Sequence, residues 1–218
     1  MGTVAFISGG AVEHPLTELN VSAVVRLISL WEAARLGWGC TRVELGQLLT
    51  AAGVGSDIAI RILDSIGLDA ASDRVDSLGF FAVALLLGRR GSAARRIRAL
   101  FALFDVDRCG SVTQDELTVL ALSTLWSLHR VVGASGARPS ADLEAQCVTF
   151  SDRMMAAVSS DHGAASSSSA HRTIRKRSGG RCTAEHFAVH ALAAAQPVLK
   201  GLRVRIVAVD PIDDEDDE

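Results

Sequence analysis

Long apolar runs are missing from this chain. The longest, Phe80 to Leu87, covers eight residues, whereas a membrane-spanning helix needs roughly 20, so no integral membrane segment is expected. The N-terminus lacks the basic segment and long apolar core of a secretory leader. It opens Met1-Gly2, but the myristoylation pattern wants Ser or Thr at position 6, where this chain has Phe6; lipidation is not expected. Cysteine is scarce: Cys40, Cys109, Cys147 and Cys182 show no CxxC or framework spacing, so they read as reduced thiols of a cytoplasmic protein. HExxH, nucleophile-elbow and P-loop signatures are all absent, and no catalytic residue is expected. Charge of one sign is lacking too. The net charge is -3, yet Asp210 to Glu218 holds seven acids, leaving the rest near +4; nothing there points to nucleic acid. With 49% apolar and 22% charged residues, the composition is that of a globular chain rather than a disordered one.

What is present is a stretch of twelve residues, Asp105 to Glu116, reading DVDRCGSVTQDE. Calcium-binding EF-hand loops place ligands at positions 1, 3, 5, 7, 9 and 12, with glycine at 6 for a sharp turn. Here those positions hold Asp105, Asp107, Cys109, Ser111, Thr113 and Glu116, and Gly110 falls on the turn. Calcium is a hard cation that wants oxygen, so the soft thiol of Cys109 occupies a ligand position without being a ligand. The expected donors are the carboxylates of Asp105, Asp107 and Glu116, the Ser111 carbonyl and a water held by Thr113. That set predicts one weak site, on the order of micromolar or weaker, for calcium, with magnesium or an empty loop as alternatives. Ile97, Leu100, Phe101 and Phe104 form one face of an entering helix, and Leu117, Leu120 and Ala121 begin a leaving one. Val112, at loop position 8, is the residue expected to pair with a second such loop.

Three further helix–loop–helix units are readable. Thr17 is the expected N-cap of a helix carrying Val21, Val24, Val25, Ile28 and Trp31. The following TRVELGQLL places Glu44 at position 12 and Cys40 at position 8 of a loop with no carboxylate at positions 1, 3 or 5. Ile58 to Ile66 and Phe80 to Leu87 make a second pair of helices, with Asp69, Asp73 and Asp76 between them at the wrong spacing and Gly79 or Phe80 in place of the glutamate. The arginines of GRRGSAARR, residues 88–96, read as an exposed linker and helix start. Leu143, Cys147, Phe150, Met154, Met155 and Val158 suggest a fourth entering helix, and RCTAEHFAVHAL a fourth leaving one, with Cys182 at position 8 and His186 at position 12. Between them lies a basic, serine-rich insert, about residues 159–181, expected to be a mobile surface loop. Its Arg175-Lys176-Arg177 tract is a candidate contact for an acidic surface.

The expected fold is therefore all-α: two lobes of paired units, with three of the four loops degenerate. The predicted boundaries are an N-terminal arm at 1–16, an N-terminal lobe at 17–90, a C-terminal lobe at 91–200, and an extended segment with an acidic tail at 201–218. In that last segment Leu202, Val204 and Ile206 alternate with Arg203 and Arg205. This spacing is strand-like and suits packing into an apolar groove or adding to a sheet edge.

FFAVALLLGRRGSAARRIRALFALFDVDRCGSVTQDEL, residues 80–117, resembles the four-EF-hand calcium-sensor superfamily of the neuronal calcium sensor, calcineurin-B and calaxin kind. AAAQPVLKGL, residues 193–202, is similar to the short helix that follows the fourth hand there. The resemblance implies a non-enzymatic sensor or adaptor whose paired hands present an apolar groove to an amphipathic helix of a partner. Its calaxin-like side implies an alternative, a calcium-independent structural subunit of a ciliary, axonemal, flagellar or other cytoskeletal assembly. Cys182, His186 and His190, spaced by four along one helix, are a rival zinc set. On a straight helix the outer two are about 12 Å apart at 1.5 Å per residue, too far to converge on one ion.

Overall fold

The computed structural model describes residues 5–7, 14–66, 74–88, 91–131, 141–164, 181–201 and 206–208. Within them lie eight α-helices joined by short strands. The chain runs β1 (Ala5–Ile7), α1 (Val21–Ala34), β2 (Gly39–Thr41), α2 (Arg42–Ala51), α3 (Ser56–Ser65), β3 (Arg74–Asp76), α4 (Ser77–Leu87), α5 (Ala93–Phe104), β4 (Ser111–Val112), α6 (Gln114–Val131), α7 (Ala141–Ala164), β5 (Cys182–Thr183), α8 (Ala184–Gly201) and β6 (Ile206–Ala208). The mostly helical class expected from the periodicity is what is found. The strands form three antiparallel two-stranded ribbons, β1 with β6, β2 with β3 and β4 with β5.

One rule of local chemistry recurs after each of the inner strands. The residue following the centre of the ribbon caps the next helix with its side chain. Thr41 and Glu44 form a capping box at the start of α2, and Asp76 accepts from the N–H groups of Leu78 and Gly79 at the start of α4. Thr183 accepts from the N–H of His186 at the start of α8. Such caps satisfy N–H groups that a helix start leaves without partners.

Burial then assembles the helices. Cys40 pairs with Val75 and Val112 with Cys182 across the two inner ribbons, and all four side chains are buried. They join a single hydrophobic core that runs from Leu16 to Ala194 and takes residues from both halves of the chain. Its centre is α4, whose residues from Ser77 to Leu85 are all buried. A helix apolar all round must lie inside the molecule, and Phe81 stacks edge-on with Trp31 and Phe80, with ring centres 5.5 and 5.4 Å away. Fully burying a side chain of this size contributes about 1.5–3 kcal/mol. At Gly79, α6 packs so tightly against α4 that a Cβ would meet Ser127 Oγ and lie 2.5 Å from the Ser123 carbonyl.

Several expectations are corrected. Asn20, not Thr17, caps α1, accepting from the Ala23 N–H at 2.6 Å, because residues Pro15–Glu18 are already a 3₁₀ turn in which the Thr17 hydroxyl donates to the His14 carbonyl. Arg96, expected in an exposed linker, is buried, since it lies four residues before Leu100 and so on the core side of α5. The insert begins later than residue 159: α7 continues to Ala164, and the Ser159 and Ser160 hydroxyls donate back to the Met155 and Ala156 carbonyls. Residues 193–201 continue α8 rather than forming a separate helix, the alanine run 193–195 being strong helix-forming sequence. Of the segment expected to be extended, Ile206–Ala208 form a strand, paired with the chain's own β1 through Ala5–Ala208, Phe6–Val207 and Ile7–Ile206, while residues 202–205 lie outside the described residues. Asp69, Asp73, the tract 175–177 and the acidic tail lie outside the described residues. No described helix is long and apolar enough to cross a membrane.

Candidate metal centre

The loop following α5 is shaped by its first residue. Asp105 terminates α5, its own N–H bonding back to the Phe101 carbonyl. Its side chain, only 7% exposed, turns inward to accept from the Cys109 N–H at 3.0 Å and the Gly110 N–H at 2.9 Å. Asp107 Oδ1 also accepts from the Cys109 N–H, at 3.2 Å. The chain can fold around a carboxylate this tightly because Gly110 takes φ +77°, a left-handed conformation that glycine adopts without strain. From there the backbone enters β4, whose pairing with β5 fixes the far side of the loop.

Ligand atoms of Asp105, Asp107 and Cys109 all come within 4.8 Å of one another, the one such grouping of His, Cys, Asp and Glu among the described residues. Two of the expected carboxylates are thus together, with the thiol beside them. Cys109 is exposed, and its Sγ lies 3.0 Å from the Ser111 carbonyl, to which it donates, and 3.1 Å from the Ser111 hydroxyl. Glu116 stands apart from the cluster. Its Oε2 accepts from the Thr113 N–H at 2.8 Å and the Thr113 hydroxyl at 2.9 Å, while its own N–H donates to Thr113 Oγ1 at 3.2 Å. This is the capping box of Thr41 and Glu44 repeated, so Thr113 and Glu116 act here on the helix rather than on the loop.

A residue outside the expected set enters the site. Arg181, immediately before β5, donates through Nη1 to Cys109 Sγ at 2.5 Å and to Ser111 Oγ at 3.3 Å, and through Nη2 to Asp107 Oδ2 at 3.2 Å. The bonds from Cys109 and then from Arg181 hold the Asp107 carboxyl down at about 2, well below the usual carboxylate range. Asp107 in turn raises the Arg181 guanidinium above its ordinary value. The pairing of Cys182 with Val112 is legible in the sequence, and it places the residue before Cys182 beside loop positions 5 to 7. That adjacency is the signal from which Arg181 could be found.

Asp105 and Asp107 together present the oxygen donors that a hard divalent cation takes, while the Ser111 carbonyl lies against the Cys109 thiol and the Glu116 carboxylate against Thr113. A bound cation would supply charge neutralisation and crosslinking of the loop rather than any reaction. The other loops offer less. Glu44 and Asp76 are committed to helix caps. Of the rival zinc set, Cys182 is buried in the core and the His186 ring is 2.9 Å from the Thr183 hydroxyl. No family model, no curated protein and no solved structure matches this chain.

Proposed function

We propose that this chain is an EF-hand calcium-binding protein with one weak site at residues 105–116, in which the helix–strand–helix units pair as two EF-hand lobes. The observation that carries this reading is the convergence of the Asp105 and Asp107 carboxylates on a loop whose sixth residue, Gly110, is left-handed and whose eighth, Val112, pairs with a second loop. Asp105, Asp107, Glu116 and the Ser111 carbonyl would hold the ion, with Thr113 holding a water. On this reading the protein is a non-enzymatic sensor or adaptor that takes an amphipathic helix of a partner into an apolar groove. A single site limits the conformational switch to the ion's differential affinity for two states. Calorimetric titration of wild type against Glu116→Gln tests the reading: heat saturating at millimolar calcium in wild type and lost in the variant supports it, and no heat in either ends it.

A second reading is favoured by the Glu116–Thr113 capping box and the Arg181 contacts, which leave the loop folded with its charges partly satisfied and no ion needed. It makes the chain a calcium-independent structural subunit of a cytoskeletal, ciliary or axonemal assembly in the cytoplasm. Partner capture unchanged by a chelator supports it; loss of the partner in chelator excludes it.

A further inference from the structure

We propose that Arg181 is a tethered counter-ion of the 105–116 loop, a built-in cation that competes with calcium and sets the weakness of the site. The proposal rests on the calcium-binding reading of that loop.

Three observations carry it. First, the guanidinium contacts side chains at three successive ligand positions of the loop, Asp107, Cys109 and Ser111. Second, its placement is fixed by backbone pairing. Ser111 opposes Thr183 and Val112 opposes Cys182, so the residue one step before Cys182 is delivered alongside the loop whenever the ribbon forms. Third, the charges match. Asp105, Asp107 and Glu116 bring three formal negative charges to the loop, and Glu116 has turned away to Thr113, which leaves the guanidinium paired with Asp107 and the Asp105 carboxylate beside Asp107.

Arginine suits this role because its planar fork offers several N–H donors and its charge persists at any physiological pH. An arriving divalent cation must break the Arg181–Asp107 ion pair and then either expel the guanidinium or bind against its positive charge. Both lower the apparent affinity. The position 5 thiol removes one ligand, and Arg181 adds an occupant to the same half of the loop. The reduced affinity thus has two separable causes.

Calorimetric calcium titrations of wild type, Arg181→Gln, Arg181→Lys and Arg153→Gln test this. Arg153 is exposed on α7 and matches the change in net charge. Arg181→Gln is expected to bind calcium at least about tenfold more tightly than wild type, equivalent to about 1.4 kcal/mol. Arg181→Lys and Arg153→Gln should stay within about threefold of it, about 0.7 kcal/mol. Thermal unfolding with and without metal provides a second readout: Arg181→Gln melts below wild type in chelator and above it in millimolar calcium. Equal affinity of wild type and Arg181→Gln overturns the counter-ion role while leaving the calcium site standing. An equal gain in Arg153→Gln overturns it in favour of net charge. No binding by any variant overturns both the role and the calcium reading.

Discussion

Glu116 is bonded to Thr113, not aimed into the loop it closes: its carboxylate takes the Thr113 N–H and hydroxyl at 2.8 and 2.9 Å. Glu44 makes the same pair of bonds to Thr41, at 2.7 and 3.0 Å, in a loop that has no ligands to offer. Glutamate at this position therefore has a helix-starting role independent of any ion, and a metal must draw the carboxylate away from it.

Glutamine can close a capping box as glutamate does. Glu116→Gln is expected to leave metal-free stability within about 0.5 kcal/mol of wild type, while Thr113→Ala, which removes the cap, costs about 0.5–2 kcal/mol. Urea denaturation in chelator measures both. A large loss in Glu116→Gln would mean that the carboxylate charge, and not the cap geometry, supports α6.

The thiols divide into one exposed and three buried, Cys109 against Cys40, Cys147 and Cys182. Burial raises all three of the latter, Cys147 and Cys182 to about 11, and a buried, protonated thiol is inert. An aromatic disulfide reagent should titrate one thiol rapidly in the native protein and four in denaturant, with Cys109→Ser abolishing the fast phase. Fast labelling that survives Cys109→Ser would show that the core ribbons open.

Gly79 is expected to resist substitution. Alanine gains up to about 1 kcal/mol of helix propensity there, but its Cβ would lie 2.5 Å from the Ser123 carbonyl, a backbone atom that cannot swing aside. Overpacking of this kind costs about 1–3 kcal/mol, so Gly79→Ala should lower the melting temperature. A rise would mean that α4 and α6 can separate freely. The same contact leaves no room for a longer side chain at this position.

Acid should destabilise the fold through His14. Burial lowers its pKa in the folded state below the ordinary value of about 6.5, and its Nδ1 accepts from the Leu16 N–H at 3.2 Å. The unfolded chain therefore binds the proton more readily. The stability His14 contributes is complete above about pH 6.5 and is lost as the pH falls through the lowered folded value. His14→Asn retains a capping side chain without the titration, so its stability should decline less than wild type's over that range. Parallel acid profiles would exclude His14 as the source.

Much of this was legible in the residue pattern. The entering face of Leu100, Phe101 and Phe104 and the glycine at 110 follow from helical spacing and loop length, which are local properties, and the partnership of Val112 with Cys182 from the matching register of two loops. On the proposed reading, the pairing of Cys40 with Val75 puts Gly79 rather than Phe80 at the last position of the second loop. Three features were not legible from local spacing alone. The turn of Glu116 onto Thr113 is a competition between two local uses of one carboxylate, and spacing cannot rank them. The entry of Arg181 depends on contacts across seventy-odd residues, and the pairing of β1 with β6 joins the two ends of the chain. Non-local pairing leaves no periodicity to read.

On the calcium-binding reading, the loop from Asp105 to Glu116 is a site held back by the chain's own groups. Crystals grown in millimolar calcium, with an anomalous difference map, test it most directly. One peak is expected between the Asp105 and Asp107 carboxylates, with Glu116 withdrawn from Thr113 and the Arg181 guanidinium displaced from Asp107 and Cys109. A loop without anomalous density, with Glu116 still on Thr113 and Arg181 still on Asp107 at that concentration, would contradict it.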